Sequence, residues 1–170
     1  NLKKLQEIFG FKDFVNKVEV YDNSHHQGKS PVGAMIAFNE DGFSKSMYRR
    51  YNIKIDYKKH IPISDDEITN NNDYLMMQEV MKRRFTGKST LNFPDLLIID
   101  GGKGHLNTVL SVLKQLKINN MNVLAISKGR ERDAGREQFY TKDRDNFKFD
   151  KDNPISVSYT HLRAHETQLH

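Results

Sequence analysis

The sequence contains no cysteine among its 170 residues. Disulfide frameworks, zinc–thiolate centres and thiol nucleophiles are thereby excluded. A reducing cytosol is permitted, and a cytoplasmic location is the expectation. No apolar run approaches the roughly 20 residues needed to cross a bilayer, so no membrane partner is expected. No Gly-x-x-x-x-Gly-Lys-Ser/Thr run is present, which argues against a Walker-type nucleotide site. The chain opens Asn1-Leu2-Lys3-Lys4, with neither an initiator Met nor a signal-peptide core, and reads as a piece of something longer.

What is present fits one domain of ordinary size. The apolar fraction is 36%, enough for a core if well patterned, and the charged fraction is 29% with a net charge of +5. That surplus suits a polyanionic partner, although many unrelated proteins are mildly basic.

Residues 2–9 carry Leu2, Leu5, Ile8 and Phe9 at helical spacing. Residues 17–22 alternate and are β-rich, reading as a strand that ends at Asp22. Residues 32–38 form a second apolar strand, the Asp41-Gly42 pair supplies a turn, and residues 43–53 read as a third strand. Residues 54–72 read as a solvated loop. Asp73 stands at an N-cap position before a helix that ends in Lys82-Arg83-Arg84-Phe85, acidic first and cationic last, as the helix dipole favours. Pro94–Asp100 reads as a continuous apolar run, expected of a central strand buried on both faces. Gly101-Gly102-Lys103-Gly104 breaks it. A helix with Leu106, Val109, Leu110, Leu113 and Leu116 follows, then a strand over 121–127 and a small hairpin from 138–141 and 146–149. The order βββαβαβ predicts an α/β fold: a ribonuclease-H-like mixed sheet, with an antiparallel three-strand meander, parallel strands and flanking helices.

Two aspartates then become candidates for chemistry. Asp22 and Asp100 both end strands, and open α/β sheets gather ligands beyond the carboxyl ends of their strands. If those strands are neighbours, the two carboxylates converge. Hard oxygen donors suit Mg²⁺ or Mn²⁺, which can activate water in phosphodiester hydrolysis. Taken alone, either residue is more often a simple turn aspartate. Asp73 is either a third carboxylate at that site or an N-cap. Gly101, Gly102 and Lys103 form either a phosphate-holding strand-to-helix junction or a tight turn. Ser24 and His25 flank Asp22 in a supporting position. The basic residues Arg49, Arg50, Arg83, Arg84, Lys128, Arg130 and Arg136 are candidate phosphate contacts, each of which is singly more often a solvated residue. Tyr48 and Tyr51, interleaved with the first pair, favour nucleic acid slightly.

Taken in order, Val18-Glu19-Val20-Tyr21-Asp22-Asn23-Ser24-His25, Val32-Gly33-Ala34-Met35, Tyr48-Arg49-Arg50-Tyr51-Asn52-Ile53, Asp73-Tyr74, Arg83-Arg84-Phe85, Pro94–Gly104, Ser127-Lys128-Gly129-Arg130 and Ala134-Gly135-Arg136-Glu137 resemble the UvrC family of bacterial excinucleases, in its C-terminal endonuclease domain. The resemblance covers roughly residues 11–155. It implies a ribonuclease-H-like endonuclease making the 5′ incision beside a lesion in damaged double-stranded DNA during nucleotide excision repair, with UvrA and UvrB as partners of the parent protein. It also implies that Asp22, Asp73 and Asp100 are the catalytic aspartates and hold Mg²⁺ or Mn²⁺. The 54–72 loop is longer than usual for the family. The family's later segments bear a catalytic histidine, but residues 156–170 do not match them. The expected division is therefore a domain over 1–155, incomplete at its end, and a disordered, non-native tail over 156–170. His161, His165 and His170 are not assigned the histidine's role, and the chain is expected to cut weakly or not at all. The alternatives are a DNA-binding fragment without catalysis and a nucleotide site at Gly101–Gly104.

Overall fold

A computed structural model describes residues 2–11, 13–24, 32–53, 72–86, 92–127 and 137–148. Its helices are α1 (Leu2–Phe9), α2 (Asn72–Thr86) and α3 (Lys103–Gln115). The strands are β1 (Val18–Ser24), β2 (Val32–Asn39), β3 (Gly42–Phe43), β4 (Arg49–Asn52), β5 (Leu96–Asp100), β6 (Asn122–Ser127), β7 (Gln138–Thr141) and β8 (Arg144–Lys148).

All eight strands form one sheet in the order β3-β2-β1-β5-β6-β7-β8, with β4 also paired to β2. β1, β2 and the β3/β4 stretch are antiparallel, whereas β1, β5 and β6 are parallel. This is the mixed ribonuclease-H-like arrangement expected from the element order, with the β7–β8 hairpin added antiparallel at the far edge.

The meander differs from expectation in one respect. Residues 43–53 are not one strand. A 3₁₀ turn at Lys45–Met47 divides β3 from β4, and the pairing with β2 is displaced by three residues across it, the length of that turn. The polar run Ser44-Lys45-Ser46 has no apolar side chain to lay on the sheet, and Ser44 N–H closes the break by donating to the Ala37 carbonyl at 2.8 Å. The β2–β3 turn is as expected. Gly42 takes φ 116°, a conformation open to glycine, and the Asn39 side chain accepts from Asp41 N–H at 2.8 Å.

Helices cover both sheet faces. Tyr21, Met35, Ala37, Tyr51, Leu97, Ile99, Val123 and Ala125 pack beneath α2 and α3. Val18, Val20, Ile36, Leu96, Ile98, Leu124 and Ile126 pack with α1 residues Leu2 and Phe9 and with Phe139. Burial on both faces explains why β5 reads as an unbroken apolar run. The α2 layer is rich in methionine: Met76, Met77 and Met81 are fully buried there, above Met35 of β2. No helix among the described residues is long and apolar enough to cross a membrane.

Candidate functional site

The parallel register of β1 and β5 is set at their amino ends. The Asp95 carboxylate accepts from the backbone N–H groups of Asn16 at 3.0 Å and Lys17 at 2.9 Å. In return the Lys17 carbonyl accepts from Asp95 N–H at 2.8 Å. From there Val18 pairs with Leu96, and the ladder runs to Tyr21 opposite Ile99. One further step brings Asp22 level with Asp100. Registered residues on adjacent strands point to the same side of a sheet. The two carboxylates therefore stand side by side, on neighbouring strands about 4.8 Å apart, where the parallel ladder ends. Both are half-buried. Asp22 is not the last residue of its strand, as expected from the sequence. β1 continues to Ser24 through antiparallel pairing with β2, in which Asp22 is opposite Ala34. What ends at Asp22 is the parallel pairing.

The same row extends outward, because Ala34 also pairs with Arg50 of β4. Arg50 is exposed on the Asp22 side of the sheet, with only the small Ala34 between them.

Asp73 reaches this end of the molecule from the first turn of α2; the helix begins at Asn72, so Asp73 is inside the helix rather than capping it. Its neighbour Tyr74 lies edge-on to His105 of α3, with ring centroids 4.8 Å apart. A side chain at Gly104 would collide with the Tyr74 ring, and one at Gly101 with His105. Gly102 meets no such crowding, its nearest neighbour being Ser127 Cβ at 3.9 Å. The glycines at 101 and 104 thus let the starts of α2 and α3 pack closely beside Asp100. His105 registers this crowding: burial pushes its imidazole pKa below the usual range, while Asp73 and Asp100 pull it back upward. Asp22, Asp73, Asp100 and Lys103 all take part in polar or electrostatic contacts, and Lys103 is exposed at the first residue of α3.

As a donor set, paired aspartates fit a hard divalent cation. Among the described residues, however, no three His, Asp or Glu side chains gather into a metal-holding group. Asp73 lies in the neighbourhood but does not complete such a set with Asp22 and Asp100.

The basic candidates separate. Arg49 donates to the carbonyls of Ser46 at 3.2 Å and Tyr48 at 2.8 Å. Arg83 donates to the Asn52 carbonyl at 2.6 Å and lies over the Tyr51 ring. Arg84 corrects the sequence reading. It is 1% exposed, and its guanidinium grips the Glu19 carboxylate in a two-point ion pair at 3.0 and 2.8 Å. A side chain so committed inside the core cannot reach a phosphate. The Ser24 side chain and His25, Lys128, Arg130 and Arg136 are outside the described residues, as are the 54–71 loop and residues 156–170.

Sequence reasoning missed Glu19, Asp95 and the Tyr74–His105 contact. The signal for Glu19 was available: a carboxylate in a strand flanked on both sides has to be paired.

Comparison with known proteins finds relatives of this chain. The UvrABC system protein C of Maricaulis maris (strain MCS10) is 39% identical over 170 residues, covering 95% of this chain and 25% of that protein. The corresponding protein of Wolbachia pipientis subsp. Culex pipiens (strain wPip) is 40% identical over 166 residues, covering 96% and 25%. The chain thus spans about a quarter of the length of the curated relatives it matches. A solved Ciona intestinalis endonuclease V, in complex with a 24mer DNA containing an inosine followed by a ribo-adenosine, overlays with TM-score 0.43 at 16% identity, covering 96% of this chain and 65% of that one. That likeness is too loose to inform the site. The UvrC RNAse H endonuclease domain family matches residues 6–167, a span that runs past residue 155 into the stretch read from sequence as lying outside it. On that match and those identities, the chain belongs to the UvrC RNAse H endonuclease domain family.

Proposed function

We propose that this chain is the DNA-cutting domain of a nucleotide-excision-repair endonuclease, hydrolysing a phosphodiester 5′ to a lesion in double-stranded DNA with Mg²⁺ or Mn²⁺. The observation that carries the reading is the levelling of Asp22 with Asp100 at the end of the β1–β5 parallel ladder, in a member of this family.

Asp22 and Asp100 would hold the cation, and Asp73 would support them from the first turn of α2. When bound, such a cation supplies activation of water and stabilisation of the leaving oxygen. Lys103, exposed at the start of α3, and Arg50, exposed on the Asp22 row, would position backbone phosphates on either side of the pair. Two parallel strands hold the carboxylates in place before DNA arrives, so little reorganisation is needed at the moment of reaction. In the longer protein the domain would act with UvrA and UvrB on damaged DNA in the cytoplasm.

The test is nicking of lesion-bearing duplex by the longer protein with its partners, with and without Mg²⁺ or Mn²⁺. Asp22→Ala and Asp100→Ala are each expected to reduce the rate by at least ~100-fold while leaving DNA binding intact. Unchanged nicking in both variants would sink the assignment.

A second reading, DNA binding without catalysis, is favoured by the net charge of +5 and the exposed Arg50 and Lys103. Salt-sensitive binding indifferent to divalent metal, with no nicking, would select it.

A further inference from the structure

The residues that tie the carboxylate-bearing elements together lie away from the carboxylates. Glu19 and Arg84 are 0% and 1% exposed, and Tyr21 is 1% exposed. Arg84 Nε donates to Glu19 Oε1 at 3.0 Å, and Arg84 Nη2 donates to Glu19 Oε2 at 2.8 Å. Nη2 also donates to the Asn92 carbonyl at 2.8 Å, and the Tyr21 hydroxyl donates to Glu19 Oε1 at 2.5 Å. Glu19 is on β1, three residues before Asp22. Arg84 is on α2, whose first turn carries Asp73. Asn92 is in the segment entering β5, which ends at Asp100. One guanidinium, carried by α2, therefore bonds to both of the other segments that bear the candidate carboxylates.

The α2 layer explains why such a tie matters. Its buried face is Leu75, Met76, Met77, Val80, Met81 and Phe85. Methionine is unbranched and adaptable, so this face fills space without fixing one axial position on the sheet. A two-point carboxylate–guanidinium pair has a narrow geometry. Buried polar pairs are best attested as devices that set register, and they are often less stabilising than an apolar replacement. At the other end of α2, Tyr74 is fixed against Gly104 and His105. A rod held at both ends keeps its intermediate and terminal groups in place.

We infer that the Glu19–Arg84–Tyr21 cluster is a positioning device for the Asp22–Asp100 pair, locking α2 and the entry to β5 onto β1 so that Asp100 stays level with Asp22 and the first turn of α2, with Asp73, stays beside them. This rests on the site reading proposed above. The cluster lies about 10 Å along β1 from Asp22. It lies roughly 16 Å along α2 from Asp73. It therefore acts through the elements and not by contact.

The experiment uses the chain as it stands, with Mn²⁺ alone as probe, read by the electron spin resonance signal of free Mn²⁺ alongside thermal melting. The variant Glu19→Leu/Tyr21→Phe/Arg84→Met replaces the cluster with apolar groups. It is expected to melt cooperatively near the parent's temperature yet bind Mn²⁺ at least ~10-fold more weakly. Arg84→Lys, which keeps the charge but loses the fork, is the second variant and is expected to weaken Mn²⁺ binding in the same direction. In the longer protein both variants should lower kcat by up to ~100-fold with KM little changed. If the triple variant folds with parental Mn²⁺ affinity, the cluster is only structural and the inference is overturned. If the triple variant does not fold, parental affinity in Arg84→Lys overturns it equally. An Asp22→Ala arm separates the two failures: Mn²⁺ bound as well by Asp22→Ala as by the parent refutes the site reading itself.

Discussion

At the scale of single residues, the buried polar groups are the most informative. Tyr21 is fully enclosed. Burial pushes its phenol pKa well above the usual value of 10.0, and the adjacent Glu19 carboxylate, by its charge and by the hydrogen bond, raises it further. The folded chain therefore keeps the Tyr21 proton at a pH where the unfolded chain releases it. The stability this contributes is complete below about pH 10 and falls as pH rises above that value. One such group steepens the alkaline decline by about 1.4 kcal/mol per pH unit. Denaturant midpoints measured from pH 9 to about 11.5 should show a shallower decline for Tyr21→Phe than for the parent. Equal slopes would contradict the assignment. Arg84 is the companion case. Burial alone would lower its pKa, but the hydrogen bonds and charge of Glu19 outweigh that and raise it, so the guanidinium stays charged inside the core. In the sequence Arg83 and Arg84 are two adjacent basic residues with no sign of their different fates. Helical geometry turns them about 100° apart, and only one faces Glu19.

Among elements, β1 and β5 form the spine of the site, and Asp95 is the pin at its base. Asp95→Ala removes the acceptor of two backbone N–H groups. The expected cost is ~1–3 kcal/mol, read as a lower urea midpoint with unchanged m-value. A midpoint equal to the parent's would show that the pin is dispensable. Much at this scale was legible in advance. The run Pro94–Asp100 announced a central strand, the helical spacing from Leu106 announced α3, and Asp41-Gly42 announced the turn. The break at Ser44–Met47 was not legible, because alternation persists through Met47, Arg49 and Tyr51 and the three-residue displacement depends on what β2 offers opposite. The extension of β1 beyond Asp22 was hidden for a similar reason: antiparallel and parallel partners end at different residues of the same strand. The site itself was legible only as two aspartates of matching context. Their levelling follows from the register that Asp95 and Lys17 set, and register is a pairwise property that one strand's sequence does not contain. The Gly101 and Gly104 positions were read as a possible phosphate cradle. Their close approach to His105 and Tyr74 gives both glycines a packing reason.

For the molecule as a whole, the sulfur inventory has a consequence. With no cysteine, the six methionines are the oxidisable sulfur groups of this chain. Met35, Met76, Met77 and Met81 are 0% exposed, whereas Met47 and Met121 are only partly buried at the rim of the same layer. Peroxide converts a methionine to its sulfoxide only when it can reach the sulfur. The four enclosed sulfurs thus act as an internal clock for the lifting of α2 from the sheet, free of any thiol background. Peptide mass spectrometry over a peroxide time course should find Met47 and Met121 oxidised first. The enclosed four should follow together, at a rate that tracks the opening of the helix layer. Divalent cation should slow that second phase if binding holds α2 closed against β1, and a second phase indifferent to cation would mean that the helix layer and the carboxylates move independently. A chain whose helix is seated on the softest side chains available thereby carries its own chemical record of how often that seat is vacated.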